Sequence, residues 1–437
     1  FWTVTAALPL VIPEYIGAFA FSSAFGPHGA FADALAPLGV SSIPTIYGLQ
    51  GTVLVFTLFT YPYVFLTTRA GLLSVDGTLV EAARTLDRSS IGALREVVLP
   101  QVLPAVSAGV LLTALDALAD FGTPAIMHYD TFMRQIYVQY NNYAQPGYTA
   151  LLSMELLVVV AVVLVLESRV SGDANAGFSG GGSGRPGRLH LGRWRWPAML
   201  FPAAIAVLAI GVPLAILVQW YYRTGTTYAG FAFQLSDVLH SVEVSALAAV
   251  AALIAALPVA YYAARSNSLP SMIVDRVSYV GYAVPGLVLG ISLVYFGTAF
   301  VPALYQTLPM LIFAYVVRFL PQAVGSVRSS FLQVDETLTE AARTLDHPPL
   351  SAFRRVTLPL VAPGLAAGAA LVFLTTMKEL PATLMLRPAG FETLVTFVWR
   401  AERSAAYGSA ALPAIVLVLV SACSMLVILS MEGYSVE

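Results

Sequence analysis

The chain has 437 residues, a formal net charge of −2, 58% hydrophobic residues and 11% charged residues. A soluble domain carries about 25% charged residues, so this composition indicates a membrane protein. The near-zero charge lacks the basic footprint of nucleic-acid binding, and the single cysteine, Cys423, excludes an intrachain disulfide bond.

Apolar segments along the chain approach the roughly 20 residues that an α-helix needs to cross a bilayer. They predict an all-α polytopic membrane protein, embedded in the cell membrane, with about ten spans. The expected spans are near 2–25, 45–68, 100–123, 148–168, 197–221, 241–264, 277–300, 308–328, 360–386 and 408–431. The spans at 197–221 and 241–264 in the second half have no partner in the first half, so we expect about two further spans ahead of Phe1 and twelve in a complete chain.

A stretch of about twenty residues occurs twice. The first copy is VEAARTLD at 80–87, with Leu99-Pro100 downstream, and the second is TEAARTLD at 339–346, with Leu358-Pro359 downstream. The same offset of 259 residues relates Pro104 to Pro363 and Gly109 to Gly368. An ungapped match of this length predicts two related halves that form pseudo-symmetric helical bundles.

The repeat predicts three segments: a first repeat at 1–170 that lacks its N-terminal part, a flexible linker at 171–195 and a second repeat at 196–437. Gly and Ser dominate the linker between Ser171 and Pro186. Arginines concentrate in the linker and in both repeated loops. Counting the predicted spans places these three segments on the same side of the membrane. The positive-inside rule predicts that this side, and the C-terminus, are cytoplasmic. The loop with Arg387, Arg400 and Arg403 is an exception.

Each repeated segment predicts a short polar helix between two spans. Its residues are strong helix formers, and an aspartate or threonine that could cap the helix precedes each copy, at Asp76 or Thr78 and at Asp335 or Thr337. The alanines leave a face on which another protein can pack, and the proline marks the return into the bilayer. A helix without a partner is the alternative, which two copies in matching topology disfavour.

Glu-Ala-Ala followed by a distant Leu-Pro resembles the cytoplasmic loop of importer permeases in the ATP-binding-cassette superfamily. The resemblance implies that each loop docks as a coupling helix on a subunit of an ATPase dimer. It assigns this contact to Glu81, Ala82, Ala83, Asp87, Leu99, Pro100, Glu340, Ala341, Ala342, Asp346, Leu358 and Pro359. The family usually has glycine where Asp87 and Asp346 stand, so the local turn is the point of difference.

A narrower resemblance concerns the substrate. The segments 377–383, 386–388 and 391–394, with 120–123 and 129–132 in the first half, look like those of ferric-iron permeases. The resemblance implies import of ferric iron from an extracytoplasmic solute-binding protein. Permeases for thiamine, polyamines or oxyanions share the fold and remain alternatives.

Four acids are candidates for a substrate pathway, because acids in or beside a span are costly and often functional. Asp120 and Glu379 keep the offset of 259, Asp116 lies one turn before Asp120, and Glu14 follows Pro13. The alternatives are acids hydrated at the outer mouth, or a local pair between Glu379 and Lys378. The five histidines show no ligand spacing, so we expect no permanent metal site.

The sequence has no phosphate-binding Gly-x-x-x-x-Gly-Lys-Ser/Thr loop. We therefore expect a transport subunit with no cofactor of its own and no enzymatic activity, with ATP and Mg bound by a partner ATPase. An ion-coupled secondary transporter would explain the repeats and the acids but not the two polar helices. A membrane enzyme is disfavoured, because the sequence shows no nucleophile–base set.

Overall fold

The computed structural model describes residues 2–26, 29, 31–32, 36–39, 44–86, 89–143, 145–178, 192–223, 231–266, 268–345 and 348–431. All regular elements in these ranges are helical, as the sequence predicts. The chain divides into two compact units, Phe1–Ile216 and Leu217–Glu437.

The first unit contains ten α-helices, counted within the described ranges. They are α1 (Trp2–Ala7), α2 (Glu14–Ala24), α3 (Leu49–Ser74), α4 (Gly77–Thr85), α5 (Ser90–Ala93), α6 (Leu99–Ala119), α7 (Gly122–Ile126), α8 (Phe132–Val138), α9 (Pro146–Phe178) and α10 (Arg195–Ala206). Helix α11 (Val212–Arg223) crosses the boundary between the units.

The second unit continues the series with ten more helices in the described ranges. They are α12 (Leu235–Arg265), α13 (Leu269–Ala283), α14 (Gly286–Phe300), α15 (Leu308–Gln333), α16 (Glu336–Thr344), α17 (Pro349–Ala352), α18 (Leu358–Lys378), α19 (Pro381–Leu386), α20 (Leu394–Arg403) and α21 (Tyr407–Met431).

The repeat of the sequence is also a repeat of structure. The five helices α3 to α7 recur as α15 to α19, and each begins 259 residues later. Between α5 and α6, and between α17 and α18, lies one π-helical turn, at Leu94–Val98 and Phe353–Thr357. The N-caps of α2 and α14 are also equivalent, because Pro13 and Pro285 have φ −58° with ψ 138° and φ −57° with ψ 139°.

Small residues allow the repeated helices to approach closely. In the first unit a side chain at Gly109 would overlap Oγ1 of Thr67, and in the second a Cβ at Gly368 would lie 3.3 Å from Cβ of Ser326. Thr67 and Ser326 are themselves 259 residues apart, so the same helix pair packs at the same level in each unit. A stripe of buried alanines on α12, at positions 248, 252, 256 and 260, packs in the core of the second unit.

The predicted count of ten spans is not confirmed. Within the described residues, eight helices are long and apolar enough to cross a membrane, and nine if one bent pair counts as a single span. The expected span at 2–25 is two helical segments that meet at an angle of 87° beside Pro13. The expected span at 277–300 is divided between α13 and α14, because Pro285 cannot donate a helical hydrogen bond.

The expected linker is partly helical. Helix α9 continues to Phe178, so residues 171–178 extend a membrane span, and residues 179–191 lie outside the described residues. The predicted second repeat begins at 196, but α10 and the π-helical turn Val207–Gly211 contact α1 and α3 and belong to the first unit. The packing boundary therefore lies about twenty residues beyond the expected one.

Candidate functional site

Each polar helix begins at the aspartate of its two candidate caps. Oδ1 of Asp76 accepts a hydrogen bond from the backbone N–H of Thr78 at 2.9 Å, and Oδ1 of Asp335 accepts one from Thr337 at 2.9 Å. These bonds favour the ionised carboxylate and lower the pKa of both aspartates. The caps satisfy N–H groups that the first turn of a helix leaves unpaired.

The two helices also end alike. The hydroxyl of Thr85 donates to the carbonyl of Ala82 at 2.8 Å, and that of Thr344 donates to Ala341 at 2.7 Å. The next two residues in each copy include Asp87 and Asp346, which lie outside the described residues. Their effect on the turn therefore stays a prediction.

The motif residues lie largely at the surface of each unit. Glu81, Ala82, Glu340 and Ala341 are exposed, Ala83 is half-buried and Ala342 is buried. Leu99, Pro100 and Pro359 are exposed and Leu358 is half-buried, at the first turns of α6 and α18. These positions suit a contact with another molecule more than a role in the core of a unit.

Exposed apolar side chains surround both polar helices, and the sequence analysis did not single them out. Leu79 and Leu338 are each 48% exposed, Leu86 and Leu345 are 77% and 75% exposed, and Ile91 and Leu350 are 65% and 70% exposed. Each pair is related by the offset of 259. We call these six side chains the leucine set; the repeat offset could have identified them in the sequence.

The two repeat-equivalent acids make an equivalent backbone bond. Oδ2 of Asp120 accepts from the N–H of Thr123 at 3.1 Å, and Oε1 of Glu379 accepts from the N–H of Ala382 at 3.1 Å. Asp120 also accepts from Gly122 at 2.9 Å. Each acid thereby caps the short helix, α7 or α19, that follows a membrane span.

Glu379 has a second partner that the sequence analysis missed. Nη1 of Arg318, on α15, lies 3.3 Å from Oε1 of Glu379, and both side chains are largely buried. Phe59 occupies the equivalent position in the first unit. A charged residue inside an apolar segment was the available signal, because such residues are rare in spans.

The other two pathway candidates lie in the first unit. Glu14 is the first residue of α2 and is half-buried, and Asp116 is half-buried one turn before Asp120. No group of three or more His, Cys, Asp or Glu side chains within the described ranges could hold a metal ion. The pathway role of the four acids stays a prediction.

Two of the arginines that break the positive-inside pattern, Arg387 and Arg400, pair with Glu392. Glu392 accepts from Nε and Nη2 of Arg400 at 2.8 and 2.6 Å, and this bond raises the pKa of Arg400. Arg400 also stacks on Phe231 and Phe397, with its Cζ 4.6 and 5.2 Å from the ring centroids. This side chain is therefore fixed within the loop structure of the second unit.

A family of known proteins shares this architecture. The family model for the binding-protein-dependent transport system inner membrane component matches residues 2–171 and 256–434. The chain belongs to this family. It is thus an importer permease of the ATP-binding-cassette superfamily, a multi-pass membrane protein and a component of a transport system.

Three relatives of this permease show how far the likeness extends. A Fe(3+)-transport system permease protein of Haemophilus influenzae is 33% identical over 96% of this chain and 80% of its own. A probable ABC transporter permease of Sinorhizobium fredii is 27% identical over 100% of this chain and 81% of its own. A probable molybdenum ABC transporter permease of Haloferax volcanii is 33% identical over 30% of this chain and 48% of its own.

Proposed function

We propose that the permease imports ferric iron, delivered by an extracytoplasmic solute-binding protein, and is driven by a separate ATPase dimer. The ATPase carries ATP and Mg, and the permease itself catalyses no reaction. The similarity to the Haemophilus influenzae permease over nearly the whole chain supports the choice of iron. The arginine-rich loops and the coupling helices α4 and α16 then face the cytoplasm.

The leucine set is the observation that carries the ATPase contact. An exposed leucine at one position is common on any protein surface, but three apolar side chains match in exposure between two copies. They flank helices whose polar character keeps them out of the bilayer. Apolar groups that stay exposed to water are stabilised by a protein partner, at roughly 25 cal/mol per Å² of apolar surface buried. Each coupling helix therefore presents the same apolar contact to one ATPase subunit.

Replacement of the exposed leucines tests this contact. The double variant Leu86→Asp with Leu345→Asp places a charge in each contact and should abolish co-purification of a co-expressed ATPase subunit. The matched control, Leu86→Met with Leu345→Met, keeps the apolar character and should retain the ATPase. Both residues follow the helix rather than forming its core, so both variants should fold. Normal ATPase capture by the aspartate variant would overturn the proposed contact.

Iron uptake tests the substrate separately. Proteoliposomes that contain the permease, its ATPase and its binding protein should take up radiolabelled ferric iron only when ATP is present. An oxyanion is the second candidate, because the Haloferax volcanii relative matches part of the chain. Unlabelled molybdate should leave iron uptake unchanged. If the proteoliposomes instead take up molybdate and no iron in the presence of ATP, the substrate is an oxyanion rather than ferric iron. That result would not affect the proposed ATPase contact.

A further inference from the structure

A polar cavity of about 200 Å³ lies behind the second coupling helix. We call it the α16 cavity; its lining residues are Tyr261, Arg265, Thr339, Glu340, Arg343 and Thr357. Thr339, Glu340 and Arg343 have the spacing of one helix face, so one side of α16 borders the cavity. The end of α12 and the π-helical turn before α18 complete its wall.

Two guanidinium groups border this small volume. Nη2 of Arg265 donates to the carbonyl of Val334 at 3.1 Å, which places its guanidinium at the start of α16. The charge of Arg265 also acts on Asp335, the N-cap of α16. Arg343 lies in the last turn of the same helix. Glu340 is the one acid in the lining, so the lining side chains carry two guanidinium charges against one carboxylate, and Asp335 offsets part of the charge of Arg265 from outside the lining.

Hydroxyl groups distinguish the second copy from the first. Oγ1 of Thr339 and Oγ1 of Thr357 lie 3.1 Å apart, and Thr357 is buried. At the positions 259 residues earlier the chain has Val80 and Val98. A coupling helix therefore forms without these hydroxyls, and their presence in the second unit calls for a reason other than helix formation.

We infer that the α16 cavity binds a phosphate group, either as a free anion or as the headgroup of an anionic lipid. Guanidinium groups match phosphate in geometry and charge. The two threonine hydroxyls are hydrogen-bonded to each other, so one of them is left to donate to the phosphate. Drug-sized ligands occupy roughly 300–1,000 Å³, so this smaller cavity suits a single phosphate. It lies where α12 ends and α18 begins, and basic pockets between spans on the cytoplasmic side bind lipid headgroups.

A phosphate in this cavity would tie α16 to α12 and so hold the second coupling helix against its own unit. Neither the choice of iron nor the ATPase contact is needed for this inference. The first coupling helix, with valines at the equivalent positions, would have no such support from hydroxyls. Ligand binding would therefore act on one of the two coupling helices.

Two probes distinguish the sources of the phosphate. The purified permease in neutral detergent is titrated with inorganic phosphate while its thermal unfolding is followed. In parallel, native mass spectrometry counts phosphatidylglycerol and phosphatidylcholine molecules retained after mixing. Stabilisation by inorganic phosphate indicates a free anion, and selective retention of phosphatidylglycerol indicates a headgroup. If neither probe binds the wild-type protein, the inference is wrong.

Variants place the binding in the cavity. Arg265→Gln removes one charge but keeps a donor for Val334, and it should weaken binding about tenfold or more, as expected for a lost charge-assisted bond. Thr339→Val with Thr357→Val copies the first unit and should weaken binding several-fold without loss of charge. Arg354→Gln removes an exposed charge outside the lining and is the matched control. Equal binding by the wild type, Arg265→Gln and the valine double variant would overturn the inference.

Discussion

Arg318 and Glu379 form an ion pair inside the second unit, with 15% and 6% of their side chains exposed. The same carboxylate accepts from the N–H of Ala382, so one acid joins α15 to the corner between α18 and α19. Tyr315 strengthens this corner, because its hydroxyl lies 2.7 Å from Oγ1 of Thr383. At the position equivalent to Arg318, the first unit, whose equivalent acid is Asp120, has Phe59. Repeat-equivalent acids therefore have different surroundings.

A double-mutant cycle should show that the two charges depend on each other. Glu379→Gln keeps an acceptor for Ala382 but leaves Arg318 without its counter-charge. Arg318→Met leaves the carboxylate of Glu379 without its counter-charge. Removing one partner of a buried pair costs about 3–5 kcal/mol. We expect each single variant to lower the thermal unfolding midpoint in detergent and the double variant to recover most of the loss. Additive losses in the double variant would show that the pair does not act as a unit.

Gly286 should be intolerant of any side chain. A methyl group there would overlap Nη1 of Arg318 and Oε1 of Glu379. We expect Gly286→Ala to separate the ion pair and to lower the unfolding midpoint by an amount similar to that of Glu379→Gln. The matched control is Gly147→Ala in α9, where a Cβ meets no atom within 4 Å. That control should be neutral or stabilising by up to about 1 kcal/mol, because alanine favours helix over glycine.

The sequence predicted local features that an internal comparison can reveal. Glu81 and Glu340, with their offset of 259, located both polar helices, and capping chemistry narrowed each N-cap to an aspartate or a threonine, of which the structure uses Asp76 and Asp335. The equivalent prolines inside α3 and α15, Pro62 and Pro321, follow the same offset and could have been found in the same way.

Features that depend on packing were not predictable. Apolar composition alone could not show that the segment around Pro13 bends by 87°, because a proline in a span is compatible with a straight, kinked or broken helix. Nor could it pair Arg318 with Glu379, which are 61 positions apart and meet only when α15 packs beside the end of α18.

Charge reversal at the coupling helices should impair the link to the ATPase. Glu81→Arg with Glu340→Arg reverses the charge at the middle residue of α4 and of α16, beyond the first turn, where the helix dipole contributes little. It also places a larger cation at each exposed contact. We expect ATPase capture or ATP-driven uptake to fall strongly. The control variant Glu81→Gln with Glu340→Gln keeps the shape of the side chains, so its ATPase capture and uptake should fall less. Wild-type uptake by the arginine variant would exclude the assigned role.

Uptake measurements on the membrane acids should separate a pathway role from a structural one. Like charges in a common low-dielectric space repel unless a cation or water separates them, and ferric iron prefers hard oxygen ligands. A pathway site must also release its ion, so we expect weak, hydrated contacts rather than a closed shell. Asp120→Asn removes the charge and keeps an acceptor for only one of the two backbone N–H groups of α7, because Oδ1 and Oδ2 accept separate bonds. If Asp120 contacts the passing ion, this variant should lower iron uptake while ATPase capture stays normal.

The comparison for Glu379 requires the compensated variant, because the single substitution also strands Arg318. Arg318→Met with Glu379→Gln removes both charges and should fold. If Glu379 serves the pathway, this variant should lose uptake as Asp120→Asn does; if its role is the ion pair, uptake should persist. Normal uptake by a permease that combines Asp120→Asn, Arg318→Met and Glu379→Gln would reject the pathway role for both repeat-equivalent acids. Their helix-capping bonds would then account for their presence.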